Sequence, residues 1–219
     1  MPAFPSGAAL LEQVKKLLEP HGLIVRGKPI THGSGLVVLI GQVGRTAWER
    51  FAVWHAEHPD LADPLDTWSR EVICDVAERV GARAVSPSDR PFHPFQQWAM
   101  RAEGLRTSPL GILMHPEFGL WHAYRGALLF DGALAVSDAS PAPHLCDTCE
   151  AKPCLRACPV DAFSETGFRY GECQRFIQTA DGMRCMAHGC GPRNACPFGT
   201  AYRYGQAQQA FHMQSYARA

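Results

Sequence analysis

The spacing of apolar residues predicts several helices in the first 130 positions. Apolar side chains recur every three or four residues, as on one buried helix face. Asp63 and Pro64 form a helix-start signal, and Gly81 is a stop signal. The predicted helices cover Ala9–Leu18, Thr46–His58, Pro64–Val80 and Pro94–Glu103.

Short apolar runs between glycines and prolines predict buried strands. The first three are Leu23–Val25, Gly35–Ile40 and Arg83–Val85. Two further strands, Gly111–Met114 and Leu120–Phe130, are predicted to form a hairpin through the loop His115–Gly119. This mixture of elements indicates an α+β fold.

A change in composition divides the chain. Ala139–Pro143 is rich in Ser, Pro and Ala, which is typical of a linker. We therefore expect a domain over residues 1–138 and a second domain over 139–219. The second is rich in Cys, Gly and Pro and is predicted to end in a helix over Ala201–Tyr216.

Charge and hydropathy exclude some classes of function. The 21 basic residues balance 21 acidic ones, which argues against broad binding of nucleic acid or of anionic membranes. The longest apolar run, Leu36–Ile40, is far shorter than the roughly 20 residues needed to span a bilayer. The first residues lack the pattern of a secretory signal, so a cytoplasmic location is expected.

The nine cysteines are the strongest indication of function, because eight of them lie in two runs between Cys146 and Cys196. An odd number without a secretory signal disfavours a disulfide framework. Each run ends in Cys-Pro, at Cys158-Pro159 and Cys196-Pro197. The predicted metal ligands are Cys146, Cys149, Cys154, Cys158, Cys173, Cys185, Cys190 and Cys196. Cys74 stands apart on a predicted helix and is expected to be a packed thiol.

The spacing favours two [4Fe–4S] clusters, with zinc as the alternative. Structural zinc sites usually pair two Cys-x-x-Cys knuckles, and only Cys146–Cys149 forms one here. In two-cluster ferredoxins the cysteine before proline ligates the cluster of the other run. That rule predicts one set of ligands from Cys146, Cys149, Cys154 and Cys196, and another from Cys158, Cys173, Cys185 and Cys190.

The two cysteine runs resemble the two-cluster module of epoxyqueuosine reductase and of the reductive dehalogenases. The stretch Gly111–Phe130 is similar to the cobalamin-processing (decyanase) chaperone of vitamin B12 trafficking. The resemblance implies a nitroreductase-like, flavin-reductase-type core followed by a small ferredoxin-like domain. It also implies His115, Gly119 and Trp121 as cofactor contacts; a purely structural hairpin is the alternative. Ser88 replaces an acidic residue of epoxyqueuosine reductase, so a tRNA substrate is not expected.

These features together predict an iron–sulfur redox protein. Its clusters would pass single electrons to a cobalamin in the first domain, with flavin as the alternative cofactor, and act on a small-molecule substrate as a cobalamin-dependent oxidoreductase. The electrons would come from a donor protein, such as a reductase, a ferredoxin or a flavodoxin. Two other functions stay open: a ferredoxin-type carrier without its own substrate, and a cobalamin-handling chaperone.

Overall fold

The computed structural model describes residues 7–132, 136–164 and 167–218 of the chain. They form a mixed α/β structure that divides into two compact units. The first unit comprises residues up to Gly104 together with Ala123–Pro141, and the second comprises Leu105–His122 together with Ala142 onwards. The predicted domain limits at 138 and 139 stay a prediction.

The first unit is built on a sheet that has four strands within the described residues. The strands are β1 (Ile24–His32), β2 (Gly35–Val43), β3 (Arg83–Val85) and β6 (His122–Asp131), in the order β1-β2-β6-β3. β1 pairs antiparallel with β2, and β3 pairs antiparallel with β6. From Leu36 to Val43 every residue of β2 is buried, as expected for a strand covered on both faces.

The helices of the first unit follow the predicted apolar stripes closely. They are α1 (Gly7–Leu18), α2 (Trp48–Glu57), α3 (Pro64–Val80) and α4 (Phe95–Glu103). In α3 the stripe that includes Trp68, Val72 and Val76 is buried, and Gly81 ends the helix as predicted. Asp63 is the N-cap residue, but its side chain makes no capping hydrogen bond.

A buried ion pair joins β1 to α4 in the first unit. Arg26 Nη2 donates to Glu103 Oε2 over 2.9 Å, and the two side chains are only 2% and 6% exposed. The Arg26 guanidinium also lies 4.9 Å from the centre of the Tyr124 ring. Burial raises the pKa of Tyr124 above its ordinary value, so this phenol stays neutral.

Apart from its final helix, the second unit is built from short elements. Its strands are β4 (Arg106–Thr107), β5 (Leu113–Met114), β7 (Phe163–Ser164) and β8 (Gly167–Phe168). Its helices are α5 (Pro153–Arg156), α6 (Tyr170–Ile177), α7 (Met183–His188), α8 (Gly191–Ala195) and α9 (Gln206–Arg218). Among the residues that the structure describes, no helix is both long and apolar enough to cross a membrane.

The hairpin predicted around His115–Gly119 is wrong. β5 pairs with β4, whereas β6 lies between β2 and β3 in the larger sheet. His115 and Gly119 still close a tight loop, since each backbone N–H donates to the other's carbonyl over 3.0 Å. The final helix also begins later than predicted, at Gln206, because a short 3₁₀ turn over Thr200–Tyr202 precedes it.

Candidate functional site

The first cysteine run is folded into two tight turns. Cys146 lies in a 3₁₀ turn over Leu145–Asp147, and Cys154 lies in the short helix α5. Lys152, in a left-handed conformation (φ 38°), reverses the chain just before α5. Its Nζ donates to the Cys146 carbonyl over 3.5 Å, which holds the two turns together.

The second run is distributed over three helices. Cys173 lies within α6, which begins three residues earlier at Tyr170. Cys185 lies in α7, Cys190 immediately precedes α8, and Cys196 immediately follows α8.

The eight thiols converge in two sets of four. We call Cys146, Cys149, Cys154 and Cys196 the first thiol group, and Cys158, Cys173, Cys185 and Cys190 the second thiol group. Within each group, every pair of thiols is close enough to interact electrostatically. The groups contain the same residues as the two crossed sets expected from the ferredoxin rule.

Packing of α5 beside α8 produces the crossing. Along α5 the chain passes from Cys154 in the first group to Cys158 in the second. Along α8 it passes back, from Cys190 in the second group to Cys196 in the first. Close approach of the two helices depends on Gly191, since a Cβ there would lie 2.9 Å from the Ala157 carbonyl oxygen.

The first thiol group lines one apolar recess. All four of its cysteines face this recess, together with Leu110, Met114, Leu120, Lys152 and Phe198. Leu110, Met114, Leu120 and Cys196 form a buried cluster within the second unit. An apolar recess with four convergent sulfurs fits an iron–sulfur cluster, because the ligands are soft thiolates and neighbouring side chains limit access of water.

Backbone N–H groups donate to three of the four sulfurs in the second thiol group. The Ala162 N–H donates to Cys158 Sγ over 3.3 Å. The Gly191 N–H donates to Cys185, and the Arg193 N–H donates to Cys190. Such hydrogen bonds stabilise negative charge on sulfur and adjust the potential of a bound cluster.

Burial favours the neutral form of six of these thiols, because it raises their pKa values. Burial, and then the charge of neighbouring thiols, raises the pKa of Cys146 to about 11. Burial likewise raises the pKa of Cys190 to about 11. The pKa values of Cys154, Cys173, Cys185 and Cys196 are also raised, with burial as the largest cause. Four neighbouring thiolates therefore need a bound cationic core to offset their charge.

No set of three or more His, Cys, Asp or Glu side chains in the described part of the chain is arranged to hold a metal ion. An iron–sulfur cluster would be held by one cysteine per iron, so its cysteines would not form the site of a single ion. Cys74 lies on α3 in the first unit, outside both thiol groups.

The three residues expected as cofactor contacts have clear structural roles. Nδ1 of His115 accepts hydrogen bonds from the Glu117 and Phe118 N–H groups, each over 3.1 Å. Gly119 is buried with φ +57°, and a Cβ there would lie 2.4 Å from the Phe198 carbonyl oxygen. Trp121 is fully buried. Their role as cofactor contacts stays a prediction.

Arg193 is a structural residue that the sequence analysis missed. Its guanidinium lies 4.6 Å from the ring centres of both Trp121 and Tyr204. Its Nη2 donates to the Leu120 carbonyl over 2.6 Å. Arg193 therefore anchors α8, the helix between Cys190 and Cys196. Its position between two predicted ligands, Cys190 and Cys196, could have indicated a structural role. Its aromatic partners could not be identified from the local sequence.

Comparison with solved structures finds a similar overall fold. The B12-trafficking protein CblC of C. elegans, a homologue of human MMACHC, aligns with a TM-score of 0.56 and 12% identity over 96% of both chains. The chain shares the fold of this protein. The expected likeness to the cobalamin-processing chaperone is thus confirmed at the level of the fold.

A second structure, of selenomethionine-labelled epoxyqueuosine reductase, aligns with a TM-score of 0.46 and 15% identity. That alignment covers 81% of this chain and 52% of the other, so the chain spans about half of that protein's length. No family model and no curated protein matches the sequence.

Proposed function

We propose that this protein is an iron–sulfur redox protein that holds two [4Fe–4S] clusters and reduces a cobalamin bound by its first unit. The observation that carries the proposal is the convergence of eight thiols in two groups of four. Each group takes three members from one run and the fourth from the other, as in two-cluster ferredoxins. The ferredoxin-like character of residues 139–219 is part of this proposal.

The chain's own residues would hold the clusters and limit access of water to them. The thiol groups supply the ligands, and the N–H donors near Cys158, Cys185 and Cys190 balance charge on sulfur. Leu110, Met114 and Phe198 lie beside the first thiol group and shield it with apolar surface. When bound, the clusters would supply single electrons at potentials low enough to reduce cobalt in a corrin.

Cobalamin is the preferred second cofactor because CblC, whose fold this chain shares, is a B12-trafficking protein. Flavin is the alternative. The sheet β1-β2-β6-β3, with α1 and α4 packed on β1 and α3 on β3, supports a nitroreductase-like core in the first unit. A reducing cytoplasm would keep the thiols available for iron.

Anaerobic purification followed by metal and sulfide analysis tests the cluster proposal. We expect about eight iron atoms and about eight acid-labile sulfides per chain. Zinc without sulfide would refute the iron–sulfur assignment. A visible spectrum before and after dithionite, with and without added cobalamin, resolves cluster, corrinoid and flavin bands. No change in the cobalamin spectrum at high micromolar protein would refute the cobalamin assignment.

The second candidate function is cobalamin handling, in which the clusters serve as an accessory reductant. The shared fold with CblC favours it. Both candidates require bound corrinoid, so turnover separates them. A reductase converts a small organic substrate catalytically, whereas a chaperone transfers its corrinoid to a second protein without substrate turnover.

A further inference from the structure

A solvent-open cavity lies beside the second thiol group. It has a volume of about 440 Å³, and its wall includes Arg184, Cys185, His188 and Asn194. Arg184 and His188 are exposed, and the neighbouring Met183 is 59% exposed. Among the described residues, Cys185 is the member of the second thiol group that lines this cavity. The cavity is therefore a route by which an external molecule can approach that group.

The segment that forms most of this wall is strongly biased in charge. Residues 182–219 contain four arginines and no acidic residue, although the whole chain is balanced at 21 basic and 21 acidic residues. The nearest preceding acid is Asp181. No carboxylate in the described part of the chain forms an ion pair with Arg184, so its charge is available to a partner.

We propose that this cavity and the exposed Arg184 form the docking surface for the acidic face of an electron-donor protein. The inference rests on the proposed function and adds the entry point for electrons. One electron would leave the reduced donor and reduce the cluster held by the second thiol group, with no bond made or broken and no proton moved. The exposed Arg184 would steer the acidic partner, because attraction between opposite charges raises the association rate, and added salt screens that attraction.

The test uses the full chain with its clusters loaded and a reduced acidic [2Fe–2S] ferredoxin as the probe. Stopped-flow absorbance measures the rate of cluster reduction at low and high ionic strength. We expect the wild-type rate to fall as salt rises, and Arg184→Glu to slow reduction at low salt about tenfold or more. Arg184→Lys keeps the charge and should retain most of the wild-type rate.

Two controls separate docking from other effects. Arg79→Glu lies on α3 in the first unit and changes the net charge by the same amount as Arg184→Glu. It should leave the rate of reduction by ferredoxin unchanged. Reduced methyl viologen, a small cationic reductant, should reduce the Arg184→Glu protein no more slowly than wild type.

Equal slowing by Arg79→Glu and Arg184→Glu would overturn the docking proposal, as would a wild-type rate that does not depend on salt. Slowing of the methyl viologen reaction by Arg184→Glu would overturn it too, because that result indicates a damaged cluster. Absence of iron and sulfide from the wild-type protein would instead refute the proposed function itself.

Discussion

Replacing Cys158 tests the crossing of the two cysteine runs. Cys158 follows Cys154 by four positions, yet its thiol belongs with Cys173, Cys185 and Cys190. Cys158→Ser removes one of the four thiols of the second thiol group and none of the first. We therefore expect iron to fall from about eight to about four atoms per chain, with sulfide falling in parallel.

Electron paramagnetic resonance of the dithionite-reduced protein identifies which cluster remains. Cys158→Ser and Cys173→Ser should leave the same residual signal, because both variants lose the second thiol group. Cys146→Ser should leave a different signal. The crossing is refuted if Cys158→Ser leaves the signal of Cys146→Ser, since each run would then hold its own cluster. Cys74→Ser is the control and should keep its full iron content.

Two further predictions concern the scaffold. Glu103→Gln leaves the Arg26 charge buried without its carboxylate and should lower the free energy of unfolding by about 3–5 kcal/mol, measured by urea unfolding. Asp75→Asn removes the carboxylate of an exposed ion pair on α3 and should lower the free energy of unfolding by less than about 1 kcal/mol. Equal losses in the two variants would contradict this reasoning. Gly119→Ala combines a left-handed backbone with a carbonyl clash, so it should reduce iron held by the first thiol group. Gly33→Ala has a similar φ of +60° but open space around it, and it should keep full iron.

Local patterns predicted the helices of the first unit well because each buried face repeats along one segment, but they did not predict the short helices α5, α6, α7 and α8. The stripe on α3 and the stop at Gly81 are set by neighbours within a few positions. Strand β1 was predicted too short because Gly27 and Pro29 indicate a break. The register shifts between Arg26 and Ile30, and an edge strand tolerates such a bulge and a proline without a donor N–H.

Local sequence patterns could not predict which strands pair when they lie far apart along the chain. The hairpin prediction failed because β6 pairs with β3, where Val85 faces Ala127 across 42 positions of sequence. The same limitation hid Arg193, whose aromatic partner Trp121 lies 72 positions earlier. The membership of the two thiol groups could be anticipated from the order of the cysteines and the two Cys-Pro pairs, whereas their role as cluster ligands stays a prediction.

The crossed arrangement also constrains the order in which the sites can be completed during synthesis. The second thiol group lacks a member until Cys190 has been made, and the first until Cys196 has been made. Cys196 follows Cys158 by 38 positions, which at roughly 5–20 residues per second takes about 2–8 s. Under the proposed function, the cysteines made before this interval would have to remain reduced and without iron until it ends. Both thiol groups then become complete within six residues of each other, so under the proposed function iron would load in a single late stage of maturation.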